Sequence, residues 1–469
     1  MIKKEKLKAA SRRGVLAFQH VFAMFGATVV VPLLVGLSVP IALLSAGLGT
    51  ILFYFLTKRK VPVFLGSSFA YLPGLMAYMK IHNGNALVGS EIWQRAVGGL
   101  VPAIAITGLV YVLLSIIVRF VGMERIKKLF PPVVVGPIII VIGMVLAPKI
   151  IHSNIIEKYN SGSMQGWQAW TIALVTLVSI VIISTASKEK SFFRVTPILL
   201  GFGIGILTTI IIDVITVATT KDISQTIMFV KFSSYTNLDW SKVIIFQDLG
   251  ETFGFYKYLR FDLEAVLMIA PIALVSFMEH IGDINASSAV CGEDFMLDPG
   301  IHRTVLGDGV ATISAALLGA PPKTTYGENT AVLAITQNYD PFNLFLAGII
   351  ASVLGVFTVF GNLIQTIPAP VIGGASIVLF GMISASGLKT LISNKVNMNN
   401  TKNMIIVSLI LSLGLGLAAL SLVGDVTSND VYKIVIGNIE ISSLAICALV
   451  GIVANLVLPD RQKDIATLT

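Results

Sequence analysis

Two stretches of this 469-residue chain set acidic side chains among apolar neighbours. In "SFMEHIGD", residues 276 to 283, Glu279 and Asp283 are four apart and share a helical face, while His280 points about 100° away. In "PPKTTYGENTAVLAIT", residues 321 to 336, a lone Glu328 follows a run of hydroxyl, aromatic and glycine residues. Carboxylates in such surroundings can accept hydrogen bonds from a ligand's N–H groups or exchange protons. His280 has two readings, a second titrating group or a histidine satisfied by a backbone carbonyl.

The apolar surroundings are a membrane. Of all residues 55% are hydrophobic and 12% charged, where a soluble domain carries about 25% charged residues. The mean hydropathy is +0.87. A midspan carboxylate costs at least about 2.5 kcal/mol on insertion scales, so such residues face a bundle interior or watery cavity and mark a substrate or proton path. No Lys or Arg falls in the middle of any other expected span, which makes a structural ion pair the weaker reading. Asp213, Asp308 and His20 fall nearer span ends or have less company, and read as packing or loop anchors. His20, in "FQHVFAMFGATVVVP", is the exception, because a repeat would bring the first span beside the eighth.

The net charge of +8 does not point to nucleic acid, because the basic residues are scattered through short loops and the N-terminal tail. Cys291 and Cys447, the two cysteines, suggest neither a disulfide framework nor a metal site. No nucleophile–base pair, metal-ligand cluster or phosphate loop stands out, so the reading is not an enzyme and needs no cofactor. The N-terminal basic stretch resembles a secretory signal in outline, but its apolar run continues to about Gly36 and reads as a retained first span.

Apolar runs predict an all-α polytopic membrane protein of fourteen spans. They fall near residues 15–36, 40–57, 62–79, 96–118, 130–150, 166–186, 195–217, 263–289, 302–320, 324–338, 341–361, 368–389, 402–422 and 438–459. Alternate loops are basic: the tail with Lys3, Lys4, Arg12 and Arg13, then Lys58 to Lys60, Arg125 to Lys128, Lys188 to Arg194, Lys389 with Lys395, and Arg461 with Lys463. That bias places both termini in the cytoplasm of a cell-membrane protein. The connection at about 218–262, with Tyr235, Trp240, Phe253 and Tyr256, would lie outside.

An internal repeat is visible. "PVVVGPIIIVIGM", residues 132 to 144, matches "PVIGGASIVLFGM", residues 370 to 382, and "PVFLGSSFAY", residues 62 to 71, is paired more weakly with "PPKTTYGE", residues 321 to 328. Seven spans per half is odd, so the halves would be inverted, as in secondary transporters whose substrate site lies where broken helices meet. Spans 3 and 10 are expected to start as short extended strands and turn helical, leaving N–H groups aimed at a cavity. Ser, Thr and Gly there would also serve close helix packing.

"MEHIGD", "GSSFAY" and "TTYGENTAVLAIT" in this order resemble the nucleobase/ascorbate transporter family, within it the bacterial uracil permeases, and the similarity runs through essentially the whole chain. The resemblance implies two inverted seven-span repeats, with core spans at 1–128 and 263–362, gate spans at 129–220 and 363–469, and an extracellular connection at 221–262. It implies that Glu279 and Glu328 bind the N–H groups of uracil, that backbone N–H groups at Phe69 and Gly327 bind its carbonyls, and that Phe69 and Tyr326 enclose the ring. Asp283 and His280 would serve proton coupling, with Ser68, Thr325, Asn329, His20 and Phe380 as secondary candidates. The implied activity is uracil import by proton symport. A xanthine or other purine symporter is the alternative, and an anion transporter of the same fold is disfavoured by the acidic site. Membrane lipid is the expected surround, and glycine-containing gate faces could form a homodimer or merely pack. Two departures stand out: Asp283 replaces a His found in some proton-coupled uracil carriers, and Ala331 and Gln337 depart from the family signature.

Overall fold

The computed structural model describes residues 2–459 apart from residues 85, 123–124, 126–127, 129–130, 161–163, 189–190, 223–225, 229–243, 246–248, 358–362, 365, 428–434, 437–438 and 441–442. Tyr235, Trp240, Arg461 and Lys463, named above, lie outside the described residues, as do Lys127 and Lys190 of the basic loops and the side chains of residues 2–12.

The fold is mostly helical. The long helices are α1 (Ile2–Val35), α2 (Val39–Leu56), α4 (Glu91–Val121), α5 (Pro132–Ile151), α6 (Gly166–Ala186), α7 (Pro197–Thr220), α9 (Ile272–Cys291), α13 (Ala369–Ser393) and α14 (Thr401–Thr427). Helix α8 (Leu263–Ile269) runs into α9. Among the described residues, nine helical segments are long and apolar enough to cross a membrane. The chain is therefore a multi-pass membrane protein. Five of the fourteen expected spans meet shorter helices: α3 (Leu72–His82), α10 (Ile301–Leu317), α11 (Gly327–Thr336), α12 (Pro341–Val356) and α15 (Ser443–Val457). Helix α4 starts earlier than the hydropathy suggests. Ser90 caps it by accepting from the Trp93 N–H, and a Glu91–Arg95 pair at 2.8 Å supports its first turn.

Close packing depends on small residues, as it must where lipid and protein are equally apolar. Helix α2 lies against α12 so tightly that a β-carbon on Gly355 would sit 2.3 Å from the Leu44 backbone nitrogen. Helix α4 meets α10 and α5 meets α13 in the same manner.

The two segments expected to start extended do so. Strands β1 (Leu65–Ser67) and β2 (Lys323–Thr325) pair antiparallel, with Leu65 opposite Thr325, Gly66 opposite Thr324 and Ser67 opposite Lys323. Bonds from Ser68 N–H to the Pro322 carbonyl (3.0 Å) and from Tyr326 N–H to the Phe64 carbonyl (3.1 Å) lengthen the crossing. Both strands are fully buried, so backbone groups not used in the pair need partners. Two helices supply them. Thr50 of α2 accepts from the Leu65 N–H at 3.0 Å, and Thr312 of α10 accepts from the Lys323 N–H at 3.1 Å while donating to the Lys323 carbonyl at 3.2 Å.

Candidate functional site

The crossing aims two chain segments at one face of α9. After β1 the chain enters a short helical turn, Phe69–Tyr71, and after β2 it enters α11 at Gly327. Phe69 and Gly327 are the first residues of their turns, so their N–H groups have no intrahelical acceptor and carry the positive end of a helix dipole. The strand register makes these two positions, Phe69 and Gly327, equivalent about the crossing.

Between them lies the acidic face of α9. Ser68 Oγ is 3.4 Å from Ser276 Oγ, one turn before Glu279. Asp283 accepts from the Thr325 hydroxyl at 2.9 Å, and a β-carbon on Gly327 would be 3.4 Å from its Oδ1. Glu279 and Glu328 are close enough for their charges to interact. Glu279, Asp283 and Glu328 are only partly buried and Gly327 is exposed, whereas Phe69 and Tyr326 are buried walls. Phe380 of α13 meets the Phe69 ring edge-on at 6.1 Å. Asn329 of α11 donates to the His20 carbonyl at 3.0 Å and lies 3.2 Å from His20 Nδ1, so α1 does approach the site. All twelve residues singled out by the sequence thus lie on or beside one constellation.

Three readings need correction. Lys323 is a fully buried lysine, which the expectation of no midspan Lys or Arg missed. Its Nζ donates to the Ala42 carbonyl of α2 and to Ser67 Oγ, each at 3.2 Å. The hydropathy window for the tenth span begins at Thr324 and hides it.

Asp308 is also fully buried and is no loop anchor: its Oδ2 lies 2.8 Å from His280 Nδ1 and accepts from the Thr324 hydroxyl at 3.3 Å. His280 therefore pairs with side chains, not with a backbone carbonyl. Its Nε2 is 2.8 Å from Thr304 Oγ1, whose own proton goes to the Ile301 carbonyl at 3.0 Å. With the Thr304 proton on that carbonyl, Nε2 is the donor to Thr304 and Nδ1 faces Asp308. That network ties α9, α10 and β2 together behind the acidic face. Asp213 does act as a loop anchor, accepting from the Ile227 and Met228 N–H groups at 2.8 and 2.6 Å.

Such an arrangement sets carboxylate acceptors beside backbone N–H donors at two helix starts. With nine helical segments long and apolar enough to cross a membrane among the described residues, the chain is of the multi-pass membrane protein class. The transmembrane domain of a cyanobacterial bicarbonate transporter, BicA, superposes with a TM-score of 0.56 over 95% of this chain and 96% of that one. At 11% identity that likeness carries the fold alone. Residues 13–423 match the xanthine/uracil permease model, described as Permease family, and the chain belongs to this family, the nucleobase/ascorbate transporters. It is 38% identical to the uracil permease of Bacillus caldolyticus, over 96% of this chain and 92% of that protein. It is 35% identical to the uracil permease of Bacillus subtilis strain 168, over 96% and 93%. The chain is a transporter, not an enzyme.

Proposed function

We propose that this chain imports uracil across the cell membrane by proton symport. The observation that carries the reading is the meeting of three accessible carboxylates, Glu279, Asp283 and Glu328, with two helix N-termini at a single strand crossing. Uracil is flat and neutral, with two N–H donors and two carbonyl acceptors. Glu279 and Glu328 accept from its N–H groups, and the N–H groups of Phe69 and Gly327 donate to its carbonyls. Phe69 and Tyr326 wall the ring, with Ser68, Thr325, Asn329, His20 and Phe380 around them. A ring with another pattern of donors, such as cytosine, leaves buried polar groups unpaired, which favours uracil over it.

The proton binds at Asp283, with His280 and its Asp308 partner holding the acidic face of α9 in place. Substrate and proton together stabilise the loaded carrier state that moves, so coupling follows from differential affinity. In this reading all fourteen helical segments cross, in two inverted repeats with both termini cytoplasmic. Residues 1–128 and 263–362 form a core that moves against a gate of residues 129–220 and 363–469. Radiolabelled uracil uptake into proteoliposomes, driven by an imposed inward proton gradient with and without a sodium gradient, tests it. Uptake that follows protons alone supports the proposal. Uptake that requires sodium, or transport of xanthine in place of uracil, contradicts it.

A further inference from the structure

Gly66, in the middle of β1, has no conformational reason to be a glycine: it lies in ordinary extended strand backbone that any residue adopts. Its reason is steric. A β-carbon there would lie 2.2 Å from both Cε2 and Cζ of Tyr326 and 2.6 Å from the Tyr326 hydroxyl oxygen. The tyrosine ring rests directly on the bare backbone of β1. Its hydroxyl is held at both ends, donating to the Ser67 carbonyl at 2.8 Å and accepting from Thr28 Oγ1 of α1 at 3.4 Å. Ser67 is itself held by Lys323 Nζ at 3.2 Å, so the surface under the ring is fixed. Tyr326 immediately precedes Gly327 and Glu328, which places the ring's position in direct control of the room beside the carboxylate.

We propose that Gly66 sets the size of ring the site admits, by letting Tyr326 lie flat on β1 and leaving space for one six-membered ring beside Glu328. Carbon atoms pack at about 3.5–4.0 Å, so a methyl at position 66 pushes the tyrosine ring off the strand by roughly 1.3 Å or more. The β1 backbone is pinned by Thr50 and by its pairing with β2, so the ring and not the strand gives way. The inference rests on the uracil reading above and adds a size filter to it.

Equilibrium binding of radiolabelled uracil to purified wild type, Gly66→Ala and the double variant Gly66→Ala/Tyr326→Leu tests it. Gly66→Ala weakens uracil binding by at least about tenfold. Tyr326→Leu by itself weakens uracil binding because it removes a wall of the site, but without the clashing ring Gly66→Ala costs nothing more: the double variant binds uracil as Tyr326→Leu alone does. In Tyr326→Leu, unlabelled xanthine competes with the residual uracil binding, which it does not in wild type. Where Gly66→Ala fails to fold, the double variant folds as Tyr326→Leu does. Unchanged uracil affinity in Gly66→Ala overturns the inference, and so does a double variant weaker than Tyr326→Leu by the factor that separates Gly66→Ala from wild type. Failure of the wild type to bind uracil is a separate result, which removes the uracil reading itself.

Discussion

Replacing Thr312 by valine removes one hydroxyl from the strand crossing with almost no change in volume. That hydroxyl accepts from the Lys323 N–H at 3.1 Å and donates to the Lys323 carbonyl at 3.2 Å, so two buried backbone groups lose their partner at once. Each orphaned group costs about 1–3 kcal/mol, or about 2–6 kcal/mol together. Side-chain hydrogen bonds between membrane helices average only about 0.6 kcal/mol, because the separated helices find other partners. That smaller figure does not govern here, since the backbone of a broken segment has no helical partner to fall back on. Thr50→Val provides the graded comparison. It orphans the Leu65 N–H, bonded at 3.0 Å, whereas its contact with the Leu65 carbonyl is already long at 3.5 Å. One group lost in place of two predicts about 1–3 kcal/mol. Thermal unfolding of the purified protein, with and without saturating uracil, reads both effects. Thr312→Val lowers the midpoint more than Thr50→Val does, and weakens uracil binding by at least about tenfold because β2 leads directly into Gly327. A Thr312→Val protein with wild-type midpoint and affinity refutes the reasoning, as does the reverse order of the two variants.

Lys323→Met replaces a midspan amine, costly by at least about 2.5 kcal/mol on insertion scales, with an apolar chain of similar length. The amine's two partners are neutral oxygens at 3.2 Å, so the melting midpoint stays level or rises while uracil uptake falls; a lowered midpoint contradicts this. His280→Ala strips Asp308 of its ring partner inside a site with no exposure and destabilises the protein by about 3–5 kcal/mol. Asp308→Asn, which keeps a polar group toward His280 and Thr324, destabilises by less than half as much, and equal losses in denaturant unfolding would count against this pairing.

Much of the site is legible in the sequence because its signals are local. Glu279 and Asp283 announce a shared face by their spacing, and the hydroxyl-rich runs at Gly66 and Thr324 announce extended backbone inside an apolar chain. What is not legible depends on contacts between distant residues. Asp308 and His280 are 28 positions apart and meet only when α9 packs on α10. Thr50 resembles any helical threonine that bonds back one turn, as it does to Ala46 at 2.8 Å, and nothing local shows that it also holds β1. Lys323 looks like a loop residue because it precedes the apolar run, yet strand pairing carries it into the interior. The short helices arise for the same reason: α3 and α11 are only 11 and 10 residues long because the rest of each segment is spent on the strand and turn before it.

The central claim is that the carboxylates carried by α9 and α11 hold the substrate. It is tested most directly by proton-driven uracil uptake in proteoliposomes containing wild type, Glu328→Gln or Glu279→Gln, with folding checked by gel filtration. Losing a charged acceptor for a ligand N–H costs about 1.5–3 kcal/mol, a loss of roughly 10- to 150-fold in affinity. The account predicts that wild type accumulates uracil and that both folded variants fail to at the same substrate concentration. Wild-type uptake in either variant would contradict it.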